Sequence, residues 1–263
     1  MFKKIKNYIN IFWQLLKVDI CIYKQNIFTS IVDNMVWIAC TILCAAYVLP
    51  TLGIFKDYGA FYAVGTIASS TMFELFTTTT WFVSDIDGNK TISYPLTLPI
   101  PSWMVLLQKS FGYAVRTMLI MPIMLPLCKI LLWNKLSFAN FSVLKFILIF
   151  FAINFFGGIF SIFMSSIIKD MNHINTAWTR ILFPLWFFGS SQFTWQTLKQ
   201  LSPKLGYLNL LNPLTYPSEG IRAAVLGQKG YISFWICFFA TIFFSIILGF
   251  YAITKLKKRL DYV

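Results

Sequence analysis

Acids, bases and nucleophiles are sparse in this sequence, and their spacing carries no enzyme signature. His173 is the one histidine, and a lone loop histidine is far more often solvated than catalytic. Asp85 and Asp87 stand two apart on a short loop, where Gly88 and Asn89 favour a solvated turn over a metal site. No GxxxxGK[ST], HExxH or GxSxG run occurs, so the chain does not hydrolyse ATP by the phosphate-loop route. The informative charges are those in apolar surroundings. Asp33, Glu74, Arg116 and Arg180 each lie within a long apolar run. Glu219 and Arg222 stand at i, i+3 spacing and can pair on one helical face. A charge at membrane depth must face protein, water or an opposite charge.

The elements that position these residues are membrane spans. Of 263 residues, 58% are hydrophobic and 12% charged, whereas soluble domains carry roughly 25% charged residues. Six apolar stretches, 27–48, 59–84, 104–133, 142–168, 174–195 and 231–253, each exceed the roughly 20 residues needed to cross hydrocarbon. They leave no stretch for a separate soluble catalytic domain. Pro122 and Pro126 predict a kink or break toward the end of the third, and Pro184 disturbs the fifth. Residues 1–26 are amphipathic, with Ile5, Ile9, Phe12, Trp13 and Leu16 at helical spacing among lysines, and predict a helix lying in the interface. Residues 196–230 are interrupted by Pro203, Gly206, Pro213, Pro217, Gly220 and Gly227, and predict short helices that dip into the membrane and return. The expected fold is therefore an all-α integral membrane protein, one domain over residues 1–263.

The net charge of +13 reads as membrane orientation rather than nucleic-acid binding, because the basic residues flank apolar segments. Lys3, Lys4, Lys6, Lys17 and Lys24, Lys90, Lys169, and Lys255, Lys257, Lys258 and Arg259 fall on one side. They outnumber Lys56, Lys135, Lys199, Lys204, Arg222 and Lys229 on the other. That bias places both termini in the cytosol. At 1.5 Å per residue, Glu74 and Arg116 lie roughly 15 and 18 Å from the cytosolic ends of their spans, and Asp33 and Arg180 roughly 9 Å. Matched depth predicts Glu74–Arg116 and Asp33–Arg180 pairs. Pairing is the first role for these four, and substrate contact the alternative.

Two blocks stand out. The cytosolic loop 85–103, DIDGNKTISYPLTLPIPSW, starts polar and turns apolar, and suits a short amphipathic element presented to a partner. Residues 211–227, LNPLTYPSEGIRAAVLG, place Asn212 as the cap of a helix whose first position is Pro213. Together with the order of spans, the NPLTY…E..R…LG block (Asn212, Pro213, Tyr216, Glu219, Arg222, Leu226, Gly227) resembles the ABC-2 type transporter permease family. In the cytosolic loop, Asp87, Gly88, Thr91, Leu96, Leu98, Pro99 and Pro101 match the family pattern, although Asn89 and Lys90 interrupt its Gly-Thr pair and its later glutamate is missing.

The resemblance implies a membrane subunit of a bacterial exporter in the cell (inner) membrane. It implies a second permease copy, identical or a close paralogue, and two separate ATPase chains that carry ATP and Mg. The loop, Asp85 included, with the N-terminal helix would dock on the ATPase, and the 196–230 segment would gate exit at the outer face. An amphipathic drug, a lipid or a glycan would be the cargo. A secondary transporter or channel is the alternative class, and it would need ion-coupling residues of its own. A membrane-embedded enzyme is weakened by the shortage of His and acidic groups.

Overall fold

In the computed structural model the described residues are 2–53 and 58–260, and all regular structure among them is helical. Met1, at the head of the N-terminal segment, and Lys56, counted on the outer side, lie outside them. The first helix, α1, runs unbroken over Phe2–Leu43. No Gly or Pro occurs in that stretch, so nothing interrupts the backbone hydrogen bonds. The expected boundary between an interfacial helix ending at 26 and a span starting at 27 is therefore absent. Leu16, Asp19 and Tyr23 of this part of α1 are buried against protein, while Ile5, Ile9 and Trp13 stay exposed. A π-turn over Cys44–Val48 and a short helix Leu49–Thr51 with Pro50 end the element.

Helix α2 covers Tyr58–Ser84. Helix α3 covers Ser102–Ile120 and, across a 3-10 turn at Met121–Ile123, leads into α4, Met124–Leu132. Pro122 sits in that turn, where its missing N–H breaks the ladder. Helix α5 covers Val143–Ile167. It lies at the centre, in contact with α2, α3, α8 (Thr215–Val225) and α9 (Phe234–Leu260). Apolar burial drives helix association weakly in lipid, so close packing and small residues matter more. Thr78 and Ser161 share a 2.7 Å hydrogen bond between α2 and α5. A Cβ on Gly158 would collide with the Ser110 carbonyl of α3.

Among the described residues, four helical stretches are long and apolar enough to cross a bilayer: Ile5–Thr51, Ser102–Leu132, Val143–Ile167 and Phe234–Leu260. The expected second span coincides with α2, which has the length but is rich in Thr and Ser and carries Glu74. The expected fifth span is shorter than its apolar run. It is helical from Ile174 to Phe187 in consecutive pieces, with a π-turn at Trp178–Leu182 just ahead of Pro184. That gives roughly 21 Å of helix against about 30 Å of hydrocarbon. A turn at Gly189 and Ser190, with Ser190 at positive φ, then ends it. Helices α6 (Trp195–Leu201) and α7 (Pro203–Asn209) follow, before α8.

Candidate functional site

Helix α8 is the most enclosed element, with all of Thr215–Val225 buried. It carries the expected outer block, yet its two charges do not pair. Glu219 Oε1 accepts from the Trp195 N–H at 2.9 Å and Oε2 from the Ile232 N–H at 3.0 Å. The Trp195 N–H opens α6 and the Ile232 N–H lies two residues ahead of α9, and a carboxylate is a strong acceptor for such N–H groups. Arg222 donates to the carbonyls of Phe61, Ser190 and Ser191, and its Cζ lies 3.8 Å from the Phe61 ring centroid. Backbone ends outside the helix thus replace the i, i+3 contact. The helix also starts later than expected, at Thr215, leaving Pro213 outside it. Asn212 Oδ1 accepts from the Leu214 N–H at 3.0 Å, and its Nδ2 donates to the Leu185 carbonyl. Tyr216 donates to the Leu210 carbonyl at 2.7 Å. Gly227, at φ +103°, turns the chain out of the helix where an L side chain is strained.

Glu74 and Arg116 meet between α2 and α3, with Arg116 Nε 2.7 Å from Glu74 Oε2. Asn34 Nδ2 donates to Glu74 Oε1 at 3.0 Å, and Arg116 Nη2 donates to Ser30 Oγ at 2.7 Å. The Trp81 ring covers the guanidinium, with Cζ 4.5 Å from its centroid. Asp33 and Arg180 do not meet. Both are exposed, and neither has a hydrogen bond or ion pair among the described residues. Equal depth sets the level of a side chain, not its direction around the helix. α1 packs on α2, α3 and α4, while the segment bearing Arg180 does not rank among its neighbours.

At its C-terminal end, α2 continues through a π-turn over Asp85–Asn89, closed by Lys90 in the left-handed region. Asp85 folds this turn back: its carboxylate accepts from the Thr91 N–H (2.8 Å), the Thr91 hydroxyl and the Ile92 N–H (2.9 Å). Asp87 points elsewhere. Its Oδ2 accepts from the Met171 N–H at 2.8 Å, and its Oδ1 lies 3.6 Å from Arg259 Nη2. Arg259, near the end of α9, also donates to the carbonyls of Ile168 (2.6 Å) and Lys169. A short helix, Ser93–Thr97, completes the loop. Pro95 is buried, Leu96 packs on the cluster of Ile86, Ile92 and Leu106, and Leu98 and Pro101 are half-buried. Gly88 is exposed with open space around its Cα. Pro99, also exposed, borders a groove whose other wall is Asn7, Tyr8, Asn10, Ile11 and Gln14 of α1. The N-terminal stretch and the 85–103 loop therefore form one surface.

Residues 11–226, most of the chain, match the family described as ABC-2 type transporter. The chain belongs to the ABC-2 type transporter family. A search of curated proteins finds no match. That family makes this ABC-2 chain a membrane permease of a transporter. Several of its contact residues were not singled out from sequence. Ser30 and Asn34 hold the Glu74–Arg116 pair, Asp19 binds Lys109 at 2.9 Å and Gln108 at 2.8 Å, and Arg259 ties α9 to the loops. One signal was present: Asn26, Thr29, Ser30, Asp33 and Asn34 recur at i, i+3, i+4, i+7 and i+8, a polar stripe down one face of α1.

Proposed function

We propose that this chain is the membrane subunit of an ATP-driven exporter. On this reading two copies, identical or closely related, bind two separate ATPase chains, and the cargo is an amphipathic drug, lipid or glycan leaving the cytoplasm. α1, α2, α3 with α4, α5 and α9 supply five crossings of the cell membrane, and the shorter 174–187 helix supplies the sixth together with the buried turn at Ser190 and Ser191 that follows it. Both termini lie in the cytosol, and α6 to α8 form a re-entrant layer at the outer face. Backbone at membrane depth is tolerated there because protein buries it.

The observation that carries the reading is the double use of the 85–101 loop. Its Pro99 edge is exposed beside the start of α1, while Asp87 ties the loop to Met171 and Arg259. A partner pressing on that surface moves α2, the 168–171 turn and α9 together. This supports a role in transmitting closure of an ATPase to the spans. The test is co-expression with a phosphate-loop ATPase encoded beside the gene. Expected are co-purification and hydrolysis stimulated by the permease, with stimulation lost when 85–103 is replaced by a Gly/Ser linker. Transport by the pure chain in liposomes without any ATPase would overturn it.

A further inference from the structure

The polar stripe of α1 faces a second one on α2, where Phe73, Glu74, Thr77 and Trp81 recur a turn apart. Between them lies a groove of about 400 Å³, lined also by Asp33, Trp37 and Arg116. Its charges do not balance. Glu74 and Arg116 neutralise each other at 2.7 Å, which leaves the Asp33 carboxylate without a cation. Asn34, only 5% exposed, spends its Nδ2 on Glu74 and Ser30, and its Oδ1 has no partner. Two adjacent residues thus offer unshared acceptor oxygens. Trp37 stands one turn beyond Asp33 on the same face of α1, 38% exposed, with its ring 4.5 Å from that of Phe73. An unpaired carboxylate beside accessible aromatic faces attracts a positive charge on an apolar body, because the ring quadrupole and the carboxylate act on the same ion.

We infer that this groove binds an amphipathic organic cation, held by Asp33 and the Trp37–Phe73 wall. The inference rests on the exporter reading and narrows its cargo. Arg116 Nη1 has no hydrogen-bond partner, but the guanidinium charge is matched by Glu74 and covered by the Trp81 ring, so an anionic lipid or an acidic glycan gains one donor there against the repulsion of Asp33.

The experiment uses the full chain in neutral-lipid nanodiscs, without ATPase, titrated with tetraphenylphosphonium and with tetraphenylborate, ions of like shape and opposite sign. Uptake by empty discs is subtracted, and binding is followed by Trp fluorescence and calorimetry. Expected is saturable binding of the cation at least tenfold tighter than the anion, with that preference lost in Asp33→Asn. Asp33 is exposed and unpartnered, so the variant keeps the fold. Trp37→Leu should weaken the cation at least several-fold with the carboxylate intact. Equal binding of the two ions, or an unchanged preference in Asp33→Asn, would overturn the inference. Co-purification of the ATPase is scored separately, so a failed transporter reading and a failed cation site give different results.

Discussion

Arg116 Nε lies 2.7 Å from Glu74 Oε2, and both side chains are almost fully buried, at 3% and 6% exposure. Removing one partner leaves a nearly buried charge without its counter-ion. Arg116→Leu should therefore destabilise the fold by about 3–5 kcal/mol, read as thermal unfolding in detergent. The exchanged pair, Glu74→Arg with Arg116→Glu, should recover part of that loss. A double variant no more stable than the worse single one would show that the two charges do not act as a pair.

Arg222 fills the space that a Cβ on Gly65 would need. Gly65→Ala must push the guanidinium off the carbonyls of Ser190 and Ser191, and should cost about 1–3 kcal/mol. Gly88→Ala is the comparison, since nothing lies within 4 Å of its Cβ position. Arg222→Lys keeps the charge but cannot reach three carbonyls, and each lost bond should cost about 1.5–3 kcal/mol. If Gly65→Ala unfolds at the same temperature as the parent, the close approach of Arg222 to α2 is wrong.

These two sites also show what was readable in the sequence. α1 is long because no Gly or Pro interrupts it, and α3 breaks at Pro122; both effects are local. Depth led to Glu74–Arg116 because α2 and α3 leave the same connecting loop and their charged residues meet. It failed for Asp33–Arg180, which come from segments far apart in sequence, where rotation about the helix axis and choice of neighbour decide. The i, i+3 spacing of Glu219 and Arg222 was a sound local reason to pair them. The winning partners were the N–H groups of Trp195 and Ile232 and the carbonyls of Ser190 and Ser191, whose positions exist only after α6 and α9 have docked. The fifth apolar run was long enough to cross, but Pro184 and the Gly189–Ser190 turn shorten its helix.

The 168–173 turn carries a pH-dependent contact. His173 Nδ1 lies 2.8 Å from Asp170 Oδ1, and this hydrogen bond holds the Asp170 carboxyl below its ordinary value of 3.8. The carboxylate also accepts from the Asn172 and His173 N–H groups. A depressed carboxyl stabilises the fold above its ordinary value and loses that contribution as pH falls through the folded-state value. The turn should thus be held above the ordinary value of 3.8 and loosen as pH falls through the lower folded-state value, with the Asn172 and His173 amides losing protection relative to their intrinsic exchange rates. Asp170→Asn should remove the dependence. Exchange in the parent that follows only the intrinsic pH trend would refute it.

The Asp87–Arg259 contact offers the sharpest separation of stability from coupling. Both side chains are partly exposed, at 30% and 25%, and 3.6 Å apart, so the pair itself is worth about 1 kcal/mol or less. Its reach in the fold is wider, because Asp87 also holds the Met171 N–H and Arg259 also holds the carbonyls of Ile168 and Lys169. Asp87→Ala and Arg259→Ala should each leave the unfolding temperature within a few degrees of the parent. Each should at the same time lower permease-stimulated ATP hydrolysis several-fold, and the double variant should be no worse than the poorer single one. Additive losses would mean that the two residues act through separate contacts. Full stimulation in both single variants would remove the clasp from the transmission route.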